Sequence, residues 1–279
     1  MYSALMIDLK GSRQYSVKDR DDIQNFIYEV CGQLNKVFRN SLERESGFSA
    51  GDEIQGLFNS PAAAYLYYRL FSMLIHPVKI RAGIGVGTWD IRIDEGGTTA
   101  QDGQVYYRAR EAIDHADELE GYNVLYCSGE KTDPVINSLI GGASGIGSRM
   151  NAYQNELMLI TELLAPINAD GAADFNGSLE LYGLMLKRRK IDYFSTDKII
   201  SKKIPMASFF IRDLHSYPVD VAKLDESFYI TAGKQRGLPS RIADLLGITR
   251  QSVEKTLKTA NVFVARNMSI SAIKVMEDK

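Results

Sequence analysis

The stretch GFSAGDEIQGLF, residues 47–58, decides the fold. Short runs of strand-forming residues flank Gly51-Asp52, and a glycine next to an aspartate marks a tight turn. The stretch therefore reads as two short strands joined in a hairpin. Upstream, YSALMIDL (2–9) is an apolar run that turns polar at Asp8, a short buried strand that ends in a loop. Between the two, residues 18–43 carry helical spacing, with Ile23, Phe26, Ile27, Val30, Leu34, Val37 and Phe38 on one face. Downstream, Pro61 opens a second helix that runs to about Ile75. VKIRAGIGVGTWDIRI (78–93) alternates and is β-branched, which predicts a strand. Its glycines Gly83, Gly85 and Gly87 fall on one face, where another element can approach closely. EGGTTAQDG (95–103) reads as a loop, QVYYRAREAIDHADEL (104–119) as a helix and YNVLYCSG (122–129) as a further strand.

This order, β, α, hairpin, α, β, α, β, predicts an α/β (α+β) domain: a mixed sheet with helices on one face, in the ferredoxin-like or palm style. Strand signals thin out after residue 130, and residues 148–166, 177–190 and 220–278 read mostly as helix. The expected division is a sheet domain over 1–140 and a mostly helical domain over 141–279, with GGASGIGS (141–148) as a flexible linker. GGASGIG also has the glycine spacing of a dinucleotide-binding loop. Such a loop must follow a buried strand and open a βαβ unit, and PVINSLI (134–140) is a weak strand with no β-α alternation after it. Phe209, Phe210 and Ile211 suggest that residues 167–232 have a buried core of their own, with no role assigned.

Composition narrows the function classes. The chain has 279 residues, 45% hydrophobic and 24% charged, the balance of a globular protein. A formal net charge of −2 gives no global attraction to nucleic acid or acidic membranes, so any such affinity needs a local patch. No apolar run approaches the ~18–20 residues that span a bilayer, and the N-terminus lacks a signal-peptide pattern. Two cysteines, Cys31 and Cys127, suggest neither a disulfide framework nor a zinc site, which fits the cytoplasm. His76, His115 and His215 are scattered, which argues against a histidine-based metal site or triad.

Two segments carry candidate chemistry. In IDLKGSR (7–13), Asp8 ends a strand before a Gly-Ser turn, and in SAGDEIQGLF (49–58), Asp52 and Glu53 occupy a hairpin turn. Neighbouring strands lie about 5 Å apart, so pairing of the first strand with the hairpin would bring Asp8 and Asp52 within reach of a shared divalent ion, Mg²⁺ or Mn²⁺. Acidic residues at turns also form Asx turns and cap helices; two such motifs in this order favour the metal. Lys79 and Arg81 form the solvated or ligand-facing side of their strand. Tyr106 and Tyr107 cannot point the same way on a helix, so at least one belongs to the core. Arg108 and Arg110 can pair with phosphate or with Glu111 and Asp114 on their own helix.

IDLKGSR, AGDEIQGLF, PVKIRAGIGVG and DGQVYYRAREAI resemble, in this order across roughly residues 4–116, the SatD family of bacterial proteins, which also end in a helix-turn-helix. A more distant resemblance is to the palm domains of class III nucleotide cyclases and GGDEF-type diguanylate cyclases. It implies that Asp8 and Asp52, with Glu53 beside them, bind metal. It also implies that the backbone of Leu9, Lys10, Gly11, Ser12 and Arg13 holds phosphates, and that Arg110 stabilises a transferring phosphate. Tyr106 stands where those cyclases carry a transition-state asparagine, and a residue near Phe48 stands where they carry a base-reading lysine. Only half of the GGDEF signature is present, as Ala50-Gly51-Asp52-Glu53-Ile54. The resemblance thus implies nucleotide and metal binding more strongly than two-metal cyclase-type turnover.

SRIADLLGITRQSVEKTLKTAN (240–261) has the pattern of a bacterial helix-turn-helix. Ser240 is expected to cap a first helix from Arg241 to Leu246, Gly247 to make the turn, and Thr249 to cap a second helix from Arg250. Ile242, Leu246, Ile248, Val253 and Leu257 would form the shared core. In such a unit the start of the second helix enters the major groove. Arg250, Gln251 and Ser252 would then face base edges, with Lys255 and Lys258 near phosphates. From residue 234 on, nine positive residues stand against four negative ones, which supplies a local patch. The alternative is a helical hairpin used for packing or dimerisation, and the helix over 262–276 could pack the tail or form a homodimer. The expectation is a regulator of transcription that binds DNA.

Overall fold

The computed structural model describes residues 1–119, 121–175, 178–195, 215–226 and 228–278. Phe209, Phe210 and Ile211 lie outside the described residues. The first half holds strands β1 (Tyr2–Leu9), β2 (Leu42–Ala50), β3 (Glu53–Phe58), β4 (Ile80–Gly87) and β5 (Val124–Cys127), with helices α1 (Val17–Val37), α2 (Pro61–Leu74) and α3 (Gln104–Glu118). They form one sheet in the order β2-β3-β1-β4-β5. β1 runs antiparallel to both β3 and β4, β2 is antiparallel to β3, and β5 lies parallel to β4. The element order β1-α1-β2-β3-α2-β4 is that of a split βαβ, to which α3 and β5 add one further unit.

Alternation along the central strands decides which helix goes where. Leu5, Ile7 and Leu9 of β1 and Ile80, Ala82, Ile84 and Val86 of β4 bury against α1 and α2. Ala4 and Met6 point the other way and meet Val105, Tyr106, Ala109 and Ile113 of α3. The helices therefore cover both faces, not one. The three glycines of β4 explain why α3 fits there. A Cβ at Gly83 would lie 2.1 Å from the Ala109 carbonyl oxygen, and one at Gly85 would lie 2.2 Å from the Ala109 nitrogen.

The second half consists of α4 (Asp133–Ser148), α5 (Ala152–Leu164), α6 (Ser178–Arg188), α7 (Leu238–Leu246), α8 (Arg250–Thr259) and α9 (Val262–Glu277). A two-residue parallel pair, β6 (Ile167–Asn168) and β7 (Val219–Asp220), joins them. One hydrophobic core runs from Leu5 through to Met276. α9 packs along α4 and reaches α2, where the Tyr65 hydroxyl meets Ser269 Oγ at 2.9 Å. Its Ala265, Ile270, Ile273 and Met276 are buried in the chain's own core.

Four expectations change. GGASGIGS is not a linker but the last half of α4. Two of its glycines are packing surfaces: a Cβ at Gly141 would lie 2.6 Å from the Tyr122 ring and one at Gly142 2.1 Å from Met268 Cε. Close packing there outweighs glycine's poor helix propensity. The first helix stops at Val37 instead of running to Glu43, because Leu42 already starts β2. β4 ends at Gly87, and only Ile91 of the following segment pairs, with Asp102. The helix at 240 begins earlier, at Leu238, with Gly237 as its N-cap, so Ser240 lies inside the helix instead of capping it. Both cysteines are free, and among the described residues no helix is long and apolar enough to cross a membrane.

Candidate functional site

The even-numbered residues of β1 face α3, and Asp8 is the last of them. The register places it directly across from Glu53 on β3 and from Arg81 on β4. Arg81 Nε donates to Asp8 Oδ2 at 2.8 Å, and its Nη1 lies 2.5 Å from Asp117 Oδ2 near the end of α3. Lys10 Nζ reaches the other Asp117 oxygen at 3.8 Å. Glu53 receives both terminal nitrogens of Arg110, at 2.7 and 2.8 Å, and the Ser49 hydroxyl at 3.1 Å. Three carboxylates and three cations thus stand in balance across β3, β1, β4 and α3, as a network of two neighbouring sets, Asp8 with Arg81, Asp117 and Lys10, and Glu53 with Arg110. It is open to solvent: the Arg110 side chain is 47% exposed.

Asp52 sits in the two-residue turn between β2 and β3, after Gly51 at φ +64°. The carboxylate brought into register with Asp8 is therefore Glu53, with Asp52 one position beyond. Leu9 is buried, Lys10 and Ser12 are half-buried, and Gly11 (φ +70°) and Arg13 are exposed. This loop closes on itself through a hydrogen bond from the Gln14 amide to the Gly11 carbonyl, and Ser16 then caps α1 by accepting from the Asp19 amide. Among the described residues, no group of three or more His, Cys, Asp or Glu side chains is arranged to hold a metal. Asp8 and Glu53 already have guanidinium partners.

Tyr106 does not join the network. It packs with Met6, Leu57 and Trp89, its buried hydroxyl has no hydrogen-bond partner among the described residues, and burial pushes its pKa up to about 12. Tyr107 is exposed and donates to Asp102 Oδ2 at 3.0 Å. Asp102 also accepts from the Gly103 amide at 2.7 Å, while Asp90 accepts from the Gln104 amide at 3.3 Å. A Cβ at Gly103 (φ +152°) would lie 2.6 Å from the Thr88 carbonyl oxygen. The DG-x-x-YY string is thus a clamp that fixes the start of α3, and with it the height of Arg110. Arg108 serves the same packing by donating to the Val86 carbonyl at 2.6 Å. Asp117 carried no signal in the sequence, and Arg81 carried only the alternation that turned it away from the core.

In the second half, α7 and α8 are joined by the three residues 247–249. Gly247 adopts φ +62° and the Thr249 hydroxyl accepts from the Ser252 amide at 3.2 Å. Leu238, Ile242, Ala243, Leu246, Val253 and Leu257 are buried between the pair and its neighbours, and both helices pack on α5. Arg250, Gln251, Ser252, Lys255 and Lys258 are all exposed on the outer side of α8. Arg250 Nε pairs with Glu254 at 2.8 Å. Arg266, counted in the sequence among the basic residues of this region, is fully buried and adds nothing to its surface.

The chain is therefore an α/β sheet domain with an ion-pair network on its α3 face, closed by a helical region that ends in three consecutive helices. A model of the SatD family matches residues 2–170, and the chain belongs to that family. The match runs past residue 140, through α4 and α5. No curated protein and no solved structure matches the chain.

Proposed function

We propose that this protein is a DNA-binding transcription regulator whose sheet domain binds a nucleotide together with Mg²⁺ or Mn²⁺. The observation that carries the reading is α8: a capped helix after a glycine turn, with Val253 and Leu257 inward and Arg250, Gln251, Ser252, Lys255 and Lys258 outward. That is the side-chain set that reads base edges and phosphates from a major groove. Selection of duplexes from a random-sequence pool by the full chain tests it. An enriched site is expected, with preference relaxed at one position in Gln251→Ala. A pool that never departs from random would overturn the reading.

For the nucleotide, Asp8 and Glu53 would hold the cation, and Arg81, Arg110 and Lys10 the phosphates. Tyr106 in the core and two carboxylates already paired favour binding over turnover. Titration calorimetry with ATP and GTP, with and without Mg²⁺, should give a Mg²⁺-dependent signal that Asp8→Ala abolishes. Equal binding by wild type and variant would remove the site.

A further inference from the structure

Helix α3 brings two side chains of opposite charge to the ends of β3, β1 and β4. Arg110 and Asp117 are seven residues apart, which puts them on one face of the helix and about 10 Å apart along its axis. Each meets its opposite sign on the sheet, Arg110 on Glu53 and Asp117 on Arg81. Three observations separate Asp117 from a residue that only braces the helix. It lies in the last turn of α3, where the helix dipole disfavours a carboxylate. Apolar contact already anchors this end of the helix, with Ala112 and Ala116 buried beside Leu125. The Asp117 side chain is 53% exposed, and an ion pair that open contributes little to folding.

Asp117 instead holds the place between two cations. Arg81 turns its Nε to Asp8 at 2.8 Å and its Nη1 to Asp117 Oδ2 at 2.5 Å, and Lys10 Nζ stands 3.8 Å from Asp117 Oδ1. Among the described residues, Asp117 makes its ion pairs with these two cations alone. Asp8 sits directly across from Arg81 in the sheet and keeps the guanidinium oriented when the Asp117 carboxylate leaves. The Lys10 backbone is likewise fixed, its amide donating to the Lys79 carbonyl at 2.8 Å. A carboxylate and a phosphate offer a guanidinium the same pair of oxygens, so either fits this place.

We infer that Asp117 is a stand-in for a ligand phosphate: it occupies the place on Arg81 and Lys10, and a phosphate group displaces it in order to bind. The inference rests on the reading of the α3 face as a nucleotide site and adds a selection to it. Displacing Asp117 costs the same for every ligand, so it falls hardest on a lone phosphate, which has no second group to offset it. A polyphosphate chain can reach Arg110 as well. The site therefore takes di- and triphosphates in preference to monophosphates.

The test is titration calorimetry on the full chain with sodium tripolyphosphate, comparing wild type with Asp117→Asn. The variant keeps the shape of the side chain and removes its charge. It should bind tripolyphosphate about three- to tenfold more tightly, the factor that two exposed ion pairs withhold. Adding Arg81→Gln should cancel that gain. A carboxylate that only braced α3 would act the opposite way, because its loss would weaken binding. Equal or weaker binding by Asp117→Asn, or a gain that survives Arg81→Gln, would overturn the inference. ATP and GTP with Mg²⁺ test the underlying reading separately. If they bind no better than tripolyphosphate, the nucleotide goes and the stand-in remains. Mg²⁺-dependent nucleotide binding that Asp117→Asn does not strengthen would keep the nucleotide and remove the stand-in. No binding of tripolyphosphate by either protein would remove both.

Discussion

Two ion networks sit in opposite surroundings. On the α3 face, Asp8, Glu53 and Asp117 meet Arg81, Arg110 and Lys10 with solvent at hand. At the junction of the two halves, Glu162 of α5 holds Arg69 of α2 and Arg266 of α9, with side-chain exposures of 1%, 5% and 0%. Arg266 also donates to the Gly233 and Ala165 carbonyls, at 2.8 and 2.6 Å. Burial alone would raise the Glu162 carboxyl, but Arg266 and Arg69 outweigh it and hold it below its ordinary value. The buried network fixes how α9 docks on the sheet domain, because no member can leave without stranding a charge. The exposed one contributes little to folding, and its members are free to change partners for a ligand.

The largest test of this contrast is Glu162→Ala, which leaves two buried guanidiniums without their carboxylate and should cost about 3–5 kcal/mol. A loss under ~1 kcal/mol in urea unfolding would erase the distinction. Gly85→Ala drives a methyl into the α3 backbone and should cost about 1–3 kcal/mol. It should also displace Arg110, so nucleotide binding falls with stability. Lowering the pH separates the junction in another way. His76 is neutral in the fold, with its pKa near 4 against an ordinary 6.5. Its contribution is complete above 6.5 and is lost as pH falls from 6.5 toward 4, on the order of 1–3 kcal/mol. His76→Asn should flatten that part of the stability–pH curve; an unchanged slope would place the loss elsewhere. The smallest effect is expected for Glu53→Gln, under about 1 kcal/mol of stability, together with loss of the Mg²⁺-dependent nucleotide signal. A large loss of stability there would make the exposed network structural.

Much of the sheet domain was legible because its signals are local. Gly83, Gly85 and Gly87 two apart announced a close neighbour, and α3 lies there. Asp8 at the end of an apolar run and Gly51 at the turn announced a strand that pairs with the hairpin. Whether Asp8 meets Asp52 or Glu53 depends on register, which one residue changes, and no local signal fixes it. The junction was illegible for a different reason. Arg69, Glu162 and Arg266 lie on three distant helices, and each alone reads as a surface charge. Gly141 and Gly142 of α4 misled for the same cause, since Tyr122 and Met268, which make them necessary, lie outside the stretch.

The measurement that bears most directly on the proposed regulator is the salt dependence of its affinity for a selected duplex, read by fluorescence anisotropy. Wild type should bind with an affinity that falls steeply with salt. Lys258→Ala should lower the logarithmic slope by about 1 and weaken all sequences alike. An unchanged slope, or no binding at low salt, would show that α8 packs and does not read DNA.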